Sequence, residues 1–142
     1  MCGINGLIHK DGASVCVEAI ARMRDTLSHR GPDSAGLWLD KNIGFGHRRL
    51  SILDVSENGN QPIVSVDGRY IIVFNGEIYN FKELRSNLLG KGYTFYSDGD
   101  TEVLLYLYIE YGKKMLDMLN GMFAFAIWDT MEKKLFAARD RV

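Results

Sequence analysis

The residue with the most reactive chemistry in this sequence is a cysteine directly after the initiator methionine. Removal of Met1, which the small side chain at position 2 favours, would leave Cys2 with a thiol and a free α-amine. Because an α-amine has a pKa of about 7.7–8.0 and a thiol one of about 8.5, the amine can accept the thiol proton near neutral pH. Cys2 could therefore be nucleophile and base together, although a cysteine at this position can also arise by chance.

Four short polar stretches could supply the partners that such a nucleophile needs. A guanidinium such as that of Arg49 can hold a carboxylate, and carboxylates such as Glu77 and Asp100 can hold an ammonium group. An amide side chain beside a glycine N–H, as in Asn75-Gly76, offers two donors to an oxyanion. Taken alone, each stretch also has a structural explanation as a turn, a strand end or a helix cap. The stretches are 30–33, 47–49, 75–77 and 98–100.

Together with Cys2, these groups suit an enzyme that acts on the side chain of a free amino acid. The elements that must position them are predicted from hydrophobic periodicity and turn residues. Because the pattern alternates hairpins with helices, it favours an α+β fold of antiparallel sheets covered by helices over a parallel βαβ array. Strands are predicted at 3–8, 36–39, 43–50, 64–66, 70–74, 93–96, 122–128 and 134–138, and helices at 13–27, from a cap at Asn80 to 90–92, at 102–111 and at 113–119.

Composition limits the classes of protein that fit. A length of 142 residues suits one domain, and a net charge of −1 favours neither a nucleic-acid footprint nor attraction to an anionic membrane. Two cysteines cannot build a disulfide framework, so we expect a reducing, cytoplasmic setting. Cys16 falls within the first predicted helix, where we expect it to pack rather than react.

Ordered motifs along the whole chain resemble those of one family. They are Cys2-Gly3-Ile4, His29-Arg30-Gly31-Pro32-Asp33, Arg49-Leu50-Ser51-Ile52-Leu53-Asp54 with Gln61-Pro62, Asn75-Gly76-Glu77-Ile78-Tyr79-Asn80, Ser97-Asp98-Gly99-Asp100-Thr101-Glu102, Gly121-Met122-Phe123-Ala124-Phe125-Ala126 and Ala138-Arg139-Asp140-Arg141. The chain closely resembles the N-terminal glutaminase domain of the glutamine-hydrolysing asparagine synthetase family. These are class II glutamine amidotransferases with the N-terminal nucleophile hydrolase fold.

The resemblance implies a four-layer αββα sandwich of antiparallel sheets and hydrolysis of L-glutamine to glutamate and ammonia through a cysteine thioester. By motif, Cys2 would be the nucleophile and its freed α-amine the proton acceptor and donor. Asn75 and the Gly76 N–H would form the oxyanion hole. The stretch 30–33 matches the family too, and we assign it a structural role near the nucleophile.

The resemblance also implies how the substrate is held. Arg49 would bind the glutamine α-carboxylate, whereas Glu77 and Asp100 would bind its α-amine, helped by main-chain carbonyls near Ile52. No metal or other cofactor is expected in this domain. ATP and Mg²⁺ are expected only in a synthetase domain.

Relatives of this kind continue beyond Val142, so we interpret residues 1–142 as an incomplete glutaminase domain whose C-terminal end is truncated, without its synthetase domain. The expected partners are L-glutamine and the C-terminal synthetase domain of the same chain, with a homodimer left open and with no nucleic acid or membrane. Two alternatives remain. The acceptor of the ammonia could be a sugar or nucleotide precursor, or the chain could be an inactive fragment or a regulatory module that keeps the fold.

Overall fold

The computed structural model describes residues 1–141 of the chain. Within these residues the backbone forms seven β-strands, three α-helices and two 3₁₀ segments, Glu57–Gly59 and Gly112–Met118. None of the described helices combines the length and the apolar character needed to cross a lipid bilayer. The strands are β1 (Gly3–Ile8), β2 (Ser34–Asp40), β3 (Ile43–Arg49), β4 (Ile63–Val64), β5 (Tyr70–Ile78), β6 (Gly121–Asp129) and β7 (Lys134–Arg139), and the helices are α1 (Val17–Asp25), α2 (Phe81–Gly90) and α3 (Asp100–Tyr111).

The strands form two antiparallel sheets that pack face to face. Sheet A has the strand order β1-β3-β2, and sheet B has the order β4-β5-β6-β7. Helix α1 packs on the outer face of sheet A, where Ile20 lies against Gly44 of β3, and α2 and α3 cover the outer face of sheet B. The layers therefore run helix, sheet, sheet, helices, which confirms the predicted α+β class and αββα sandwich.

Side-chain alternation along β5 builds both hydrophobic layers of the sandwich. Ile71 and Val73 point into the layer between the sheets, whereas Ile72 and Phe74 point into the layer under α2 and α3. All four side chains are at most 2% exposed. Because each fully buried side chain of this size contributes about 1.5–3 kcal/mol, β5 is anchored from both faces.

Strand β5 is longer than the sequence pattern predicted. It does not end at Phe74 but continues to Ile78, so that residues 75–77 lie inside the strand and pair with β6. On its other side β5 pairs with β4 only through Ile71 and Ile72. Beyond Ile72, this edge of β5 has no strand partner among residues 1–141, which leaves backbone groups free for other contacts.

The first helix is shorter than predicted. The expected helix 13–27 is observed only at Val17–Asp25, because the Val15 N–H donates to the Lys41 carbonyl across 2.7 Å and holds the preceding segment extended. Cys16 therefore lies just before the helix and is exposed to solvent. The prediction that Cys16 packs inside a helix is wrong.

The strand predicted at 93–96 does not form. The Tyr93 N–H donates to the Leu88 carbonyl across 3.1 Å, which closes the end of α2. The Tyr96 N–H donates to the buried carboxylate of Glu102 instead of to another strand. Both N–H groups are therefore satisfied by helices α2 and α3, and the segment connects them as a loop.

Smaller corrections concern α2 and the segment after α3. Asn80 precedes α2 but does not cap it, because its side-chain amide donates to the Met118 carbonyl and accepts from the Asn120 N–H. Leu89 of α2 is 52% exposed, whereas Leu84 and Leu88 are buried. The short helix predicted at 113–119 is the 3₁₀ segment Gly112–Met118.

Candidate active site

A cavity of about 70 Å³ lies where the tip of β1, the end of β3, the unpaired edge of β5 and the start of α3 come together. The structure brings most of the predicted site residues to this one place. Those that line the cavity are Cys2, Arg49, Ile52, Gly76, Glu77 and Asp100. Ile52 lies at the rim and is 57% exposed. Asn75 does not line the cavity but directly precedes Gly76 in β5.

The Cys2 thiol is held against the main chain at the end of β3. Its Sγ accepts a hydrogen bond from the Leu50 N–H at 3.3 Å and lies 3.6 Å from the Leu50 carbonyl oxygen. The Cys2 carbonyl accepts a hydrogen bond from Arg30 Nε at 3.1 Å. Gly31 lets this loop approach closely, because a Cβ there would lie 2.3 Å from the Arg48 backbone. The stretch 30–33 thus holds the residue that carries the thiol.

Met1 is part of the same surroundings. It lines the cavity and is 56% exposed, and its presence makes the Cys2 nitrogen an amide. An amide nitrogen is not basic, so in this form no α-amine adjoins the thiol. Removal of Met1 would both create the base and widen the cavity beside Cys2.

The Gly76 N–H points to the side of β5 that β4 does not reach. In an antiparallel strand the N–H and C=O of a residue point to the same side, and that side alternates along the chain. The Tyr70 carbonyl accepts from the β4 side, and the Ile78 N–H donates to Asp100 on the same side at 2.9 Å. Gly76 is an even number of residues from both Tyr70 and Ile78, so its N–H points to the same side. With φ of +153° and a Cβ position only 2.1 Å from the Met122 carbonyl oxygen, residue 76 must be glycine.

Asn75 presents its side chain to the layer between the two sheets, by the same alternation that places Ile71 and Val73 there. Ile4 of β1 packs into this layer, and Cys2, two residues earlier, points to the same side. The Asn75 Oδ1 atom is buried without a hydrogen-bond partner in the described part of the chain. An unsatisfied buried amide oxygen is costly for the fold, and such an atom is typical of a functional site.

Two carboxylates face the cavity from different elements. Asp100 begins α3 and is 5% exposed, and its Oδ2 accepts the Ile78 N–H at 2.9 Å. Burial, with a smaller contribution from the nearby charge of Glu77, raises the pKa of Asp100 to about 6 against the opposing effect of its hydrogen bonds. A buried carboxylate beside a second one attracts a cation. The pair is therefore suited to an ammonium group.

The Arg49 guanidinium is 6% exposed and holds the loop that follows β3. Its Nη1 donates to the Ser56 carbonyl at 2.6 Å and to Asn60 Oδ1 at 2.9 Å, and its Nη2 donates to the Asp54 carbonyl. Gly59 makes room for it, since a Cβ there would lie 2.3 Å from Nη2. The Nε–H and the second Nη2–H have no partner among the described residues, so part of the guanidinium remains available to an anion.

A family model described as the glutamine amidotransferase domain matches residues 1–142. The chain belongs to this family. The match agrees with the arrangement in the cavity, where a thiol, backbone donors, a guanidinium and two carboxylates meet.

Relatives of this amidotransferase domain are similar along its full length. "Asparagine synthetase [glutamine-hydrolyzing] 1" of Bacillus subtilis is 50% identical over 143 residues, which cover 99% of this chain and 22% of that protein. "Asparagine synthetase [glutamine-hydrolyzing] 2" of Oryza sativa is 40% identical over 143 residues, which cover 100% of this chain and 24% of that protein. The chain thus spans less than a quarter of the length of these relatives.

A solved structure shares the fold of the amidotransferase domain. The glutamine phosphoribosylpyrophosphate amidotransferase of B. subtilis superimposes with a TM-score of 0.79 at 22% sequence identity, covering 96% of this chain and 37% of that one. At this identity the likeness concerns the fold, and it supports the predicted N-terminal nucleophile hydrolase architecture.

Some residues of the amidotransferase cavity were not predicted as site residues. Leu50 contacts the Cys2 thiol through its backbone, which the type of its side chain cannot reveal. Gln61 and Thr101 line the cavity and bond to each other at 3.2 Å. The only sequence signal for these two was their place in motifs that resemble the family. No group of three or more His, Cys, Asp or Glu side chains that could hold a metal ion occurs among residues 1–141.

Proposed function

We propose that this domain hydrolyses L-glutamine to L-glutamate and ammonia through a thioester on Cys2, once Met1 has been removed. The observation that carries the proposal is the meeting of a thiol, a guanidinium, a free strand-edge N–H and an acidic pair in one cavity. These groups match the reacting and charged parts of glutamine. We assign the whole sequence, residues 1–142, to a glutaminase domain.

The proposed first step is attack of the Cys2 sulfur on the carboxamide carbon of the glutamine side chain. The thiol proton moves to the α-amine of Cys2 as the S–C bond forms, and the carbonyl oxygen becomes an oxyanion. The Gly76 N–H and the Asn75 amide donate to this oxyanion, which typically contributes about 10² to 10³ in rate for each donor. Collapse of the intermediate breaks the C–N bond, and the α-amine returns the proton to the departing ammonia.

The second step is hydrolysis of the thioester. Water attacks the acyl carbon while the Cys2 α-amine accepts a proton, and the same donors hold the second oxyanion. The C–S bond then breaks, the thiol regains its proton and glutamate leaves. The reaction consumes one water and needs no oxidant, metal or other cofactor.

Substrate recognition in this proposal depends on the positively and negatively charged side chains of the cavity. The available N–H groups of Arg49 bind the glutamine α-carboxylate, and Glu77 and Asp100 bind the α-ammonium group, assisted by the main-chain carbonyl near Ile52. A free amino acid has both groups on one carbon. The distance from that carbon to the carboxamide then selects glutamine for attack by Cys2.

We further propose that the ammonia is delivered to an ATP-dependent asparagine synthetase domain of the same protein, in which ATP and Mg²⁺ would bind. The names of these relatives, asparagine synthetases, support asparagine as the product. The alternative of another acceptor finds support only in the fold likeness to a phosphoribosylpyrophosphate enzyme. Location in the cytoplasm and a homodimer remain expectations.

The decisive experiment replaces the nucleophile in the protein expressed from its natural gene. Cys2→Ala should abolish release of glutamate from glutamine while the circular dichroism spectrum stays unchanged. Cys16→Ala is the matched control, because this second thiol is exposed and lies outside the cavity, and it should leave turnover within about twofold. Substantial activity in the Cys2 variant, or an equal loss in the Cys16 variant, would overturn the assignment.

A further inference from the structure

The backbone of Phe74 lies at the unpaired edge of β5, two residues before Gly76. By strand alternation its N–H and C=O point away from β6, to the side on which β4 pairs only with Ile71 and Ile72. Phe74 is 2% exposed, so water cannot easily satisfy these backbone groups. Buried backbone groups without partners cost about 1–3 kcal/mol each, and other donors and acceptors must replace the absent strand.

Two side chains take over the role of the absent strand. Gln61 Oε1 accepts the Phe74 N–H at 2.6 Å, and His47 Nε2 lies 3.2 Å from the Phe74 carbonyl oxygen. Because a carbonyl oxygen only accepts, His47 Nε2 must carry the hydrogen and donate. Burial lowers the pKa of His47 to about 4, which keeps the ring neutral at physiological pH. Phe74 is thus held by one side chain at each of its backbone groups.

Gln61 is itself held from both ends. Its Nε2 donates to Thr101 Oγ1 of α3 at 3.2 Å. Its main-chain carbonyl lies so close to Gly36 of β2 that a Cβ there would be 1.8 Å away. The side chain is 7% exposed, and both ends of its amide are already hydrogen-bonded. Although Gln61 lines the cavity, each end of its amide already bonds to the protein, which fixes the orientation of the side chain.

We propose that Gln61 and His47 are positioning residues that aim the Gly76 N–H at the oxyanion, an inference that rests on the proposed glutaminase function. The next backbone groups on this edge are those of Gly76, and Ile78 beyond them is held by Asp100 at 2.9 Å. Gly76 therefore lies between two clamped residues. Gly76 has no side chain to pack into an apolar layer, as other residues of β5 do. The direction of its N–H therefore depends on the held residues Phe74 and Ile78.

The proposal predicts a selective loss of turnover in Gln61→Met, which keeps the length of the side chain but cannot accept the Phe74 N–H well. Loss of an oxyanion donor costs about 10² to 10³ in kcat, so a misdirected donor should cost roughly 10- to 100-fold. KM for glutamine should stay within about twofold, because the ground-state contacts of the α-groups are untouched. Alkylation of Cys2 by iodoacetamide, which forms no oxyanion, should proceed at the wild-type rate.

A second pair of variants tests the same link from α3. Thr101→Val removes the acceptor for Gln61 Nε2 and should lower kcat about 3- to 10-fold, whereas Thr101→Ser keeps a hydroxyl and should recover most of that loss. His47→Phe removes the N–H that donates to the Phe74 carbonyl, and it should also lower kcat without raising KM. These variants keep the test decisive where Gln61→Met does not fold.

Ser65→Ala is the matched control for a general loss of β5 anchoring. Ser65 Oγ accepts the Tyr70 N–H at 2.9 Å, a similar side-chain bond at the far end of the same strand, and Ser65 is 6% exposed. This variant should be destabilised yet keep wild-type kcat. An unchanged kcat in the Gln61 and Thr101 variants, or an equal fall in Ser65→Ala, would overturn the proposal. A wild-type protein without glutaminase activity would instead refute the proposed function itself.

Discussion

Replacement of Asp100 by asparagine should stabilise the fold and weaken glutamine binding at the same time. Burial, with the charge of Glu77 adding to it, raises the pKa of Asp100 from 3.8 to about 6. At 1.36 kcal/mol for each pKa unit, the ionised carboxylate costs the folded protein about 3 kcal/mol at neutral pH. Asparagine removes this charge, and its side-chain oxygen can still accept the Ile78 N–H, which lies 2.9 Å from the carboxylate. We therefore expect a gain of about 2–3 kcal/mol in the free energy of unfolding at pH 7.

The pH dependence of this gain has a definite sign. A carboxyl group with a raised folded pKa binds its proton more tightly in the folded state, so its penalty is present above pH 6 and is relieved as the pH falls toward 4. The stability advantage of Asp100→Asn should therefore be largest at pH 7, shrink between pH 6 and 4, and vanish below about 4. Urea unfolding at several pH values measures the difference.

Glutamine binding should respond in the opposite direction. The α-ammonium of glutamine stays charged from pH 5 to 8, but protonated Asp100 no longer attracts it. With a pKa of about 6, roughly a tenth of the Asp100 groups remain ionised at pH 5, so KM of the wild type should rise about tenfold between pH 7 and 5. In Asp100→Asn, KM should be high throughout and nearly flat.

A matched variant tests the cause of the raised pKa. Glu77→Gln removes the neighbouring charge but leaves Asp100 buried, so the inflection in the pH profile should move to lower pH without disappearing. The reasoning fails if Asp100→Asn is no more stable than wild type at pH 7. It also fails if the wild type and Asp100→Asn share one KM profile in steady-state assays of glutamate release.

Two further predictions concern the remaining parts of the site. Arg49→Lys keeps the charge but loses the planar fork, so KM for glutamine should rise more than kcat falls. The loop that Arg49 holds should also become more sensitive to limited proteolysis, and a fall in kcat at constant KM would exclude Arg49 from carboxylate binding. A form that retains Met1 should turn over about 10² to 10⁴ more slowly than the processed form, because the Cys2 nitrogen is then an amide. Intact mass identifies the two forms, and equal turnover would show that the α-amine is not the base.

Sequence patterns predicted antiparallel sheets covered by helices because the hydrophobic alternation of a strand is local, whereas the four-layer sandwich was implied by the family resemblance. Ile71 to Phe74 alternate between two apolar layers, and a period of two is readable in any such strand. The end of β5 was mispredicted for the same reason. Asn75-Gly76 has the composition of a turn, but pairing with β6, which no local pattern reports, keeps this segment extended.

The residues of the site were predictable by type and motif, but their supporting contacts were not. A guanidinium is a plausible carboxylate ligand wherever it occurs, yet only the structure shows that Arg49 already uses three N–H groups on its own loop. Cys16 shows the converse error. Its position among apolar residues at helical spacing suggested that it packs within a helix. A single hydrogen bond from the Val15 N–H to the Lys41 carbonyl keeps that segment out of the helix.

The short length of β4 explains why a donor is free at Gly76. In the observed register Ile63 faces Ile72. Extending the strand by two residues would place residue 61 opposite Phe74, and by four residues would place residue 59 opposite Gly76. The Gln61 backbone turns toward sheet A, where its carbonyl oxygen lies against Gly36, so only the Gln61 side chain reaches Phe74. Were β4 four residues longer in this register, the backbone of residue 59 would lie along this edge and would bond the Gly76 N–H. The site therefore depends on a strand that stops early. Side chains bond both backbone groups of Phe74 and the Ile78 N–H, and the Gly76 N–H between them is left for the substrate.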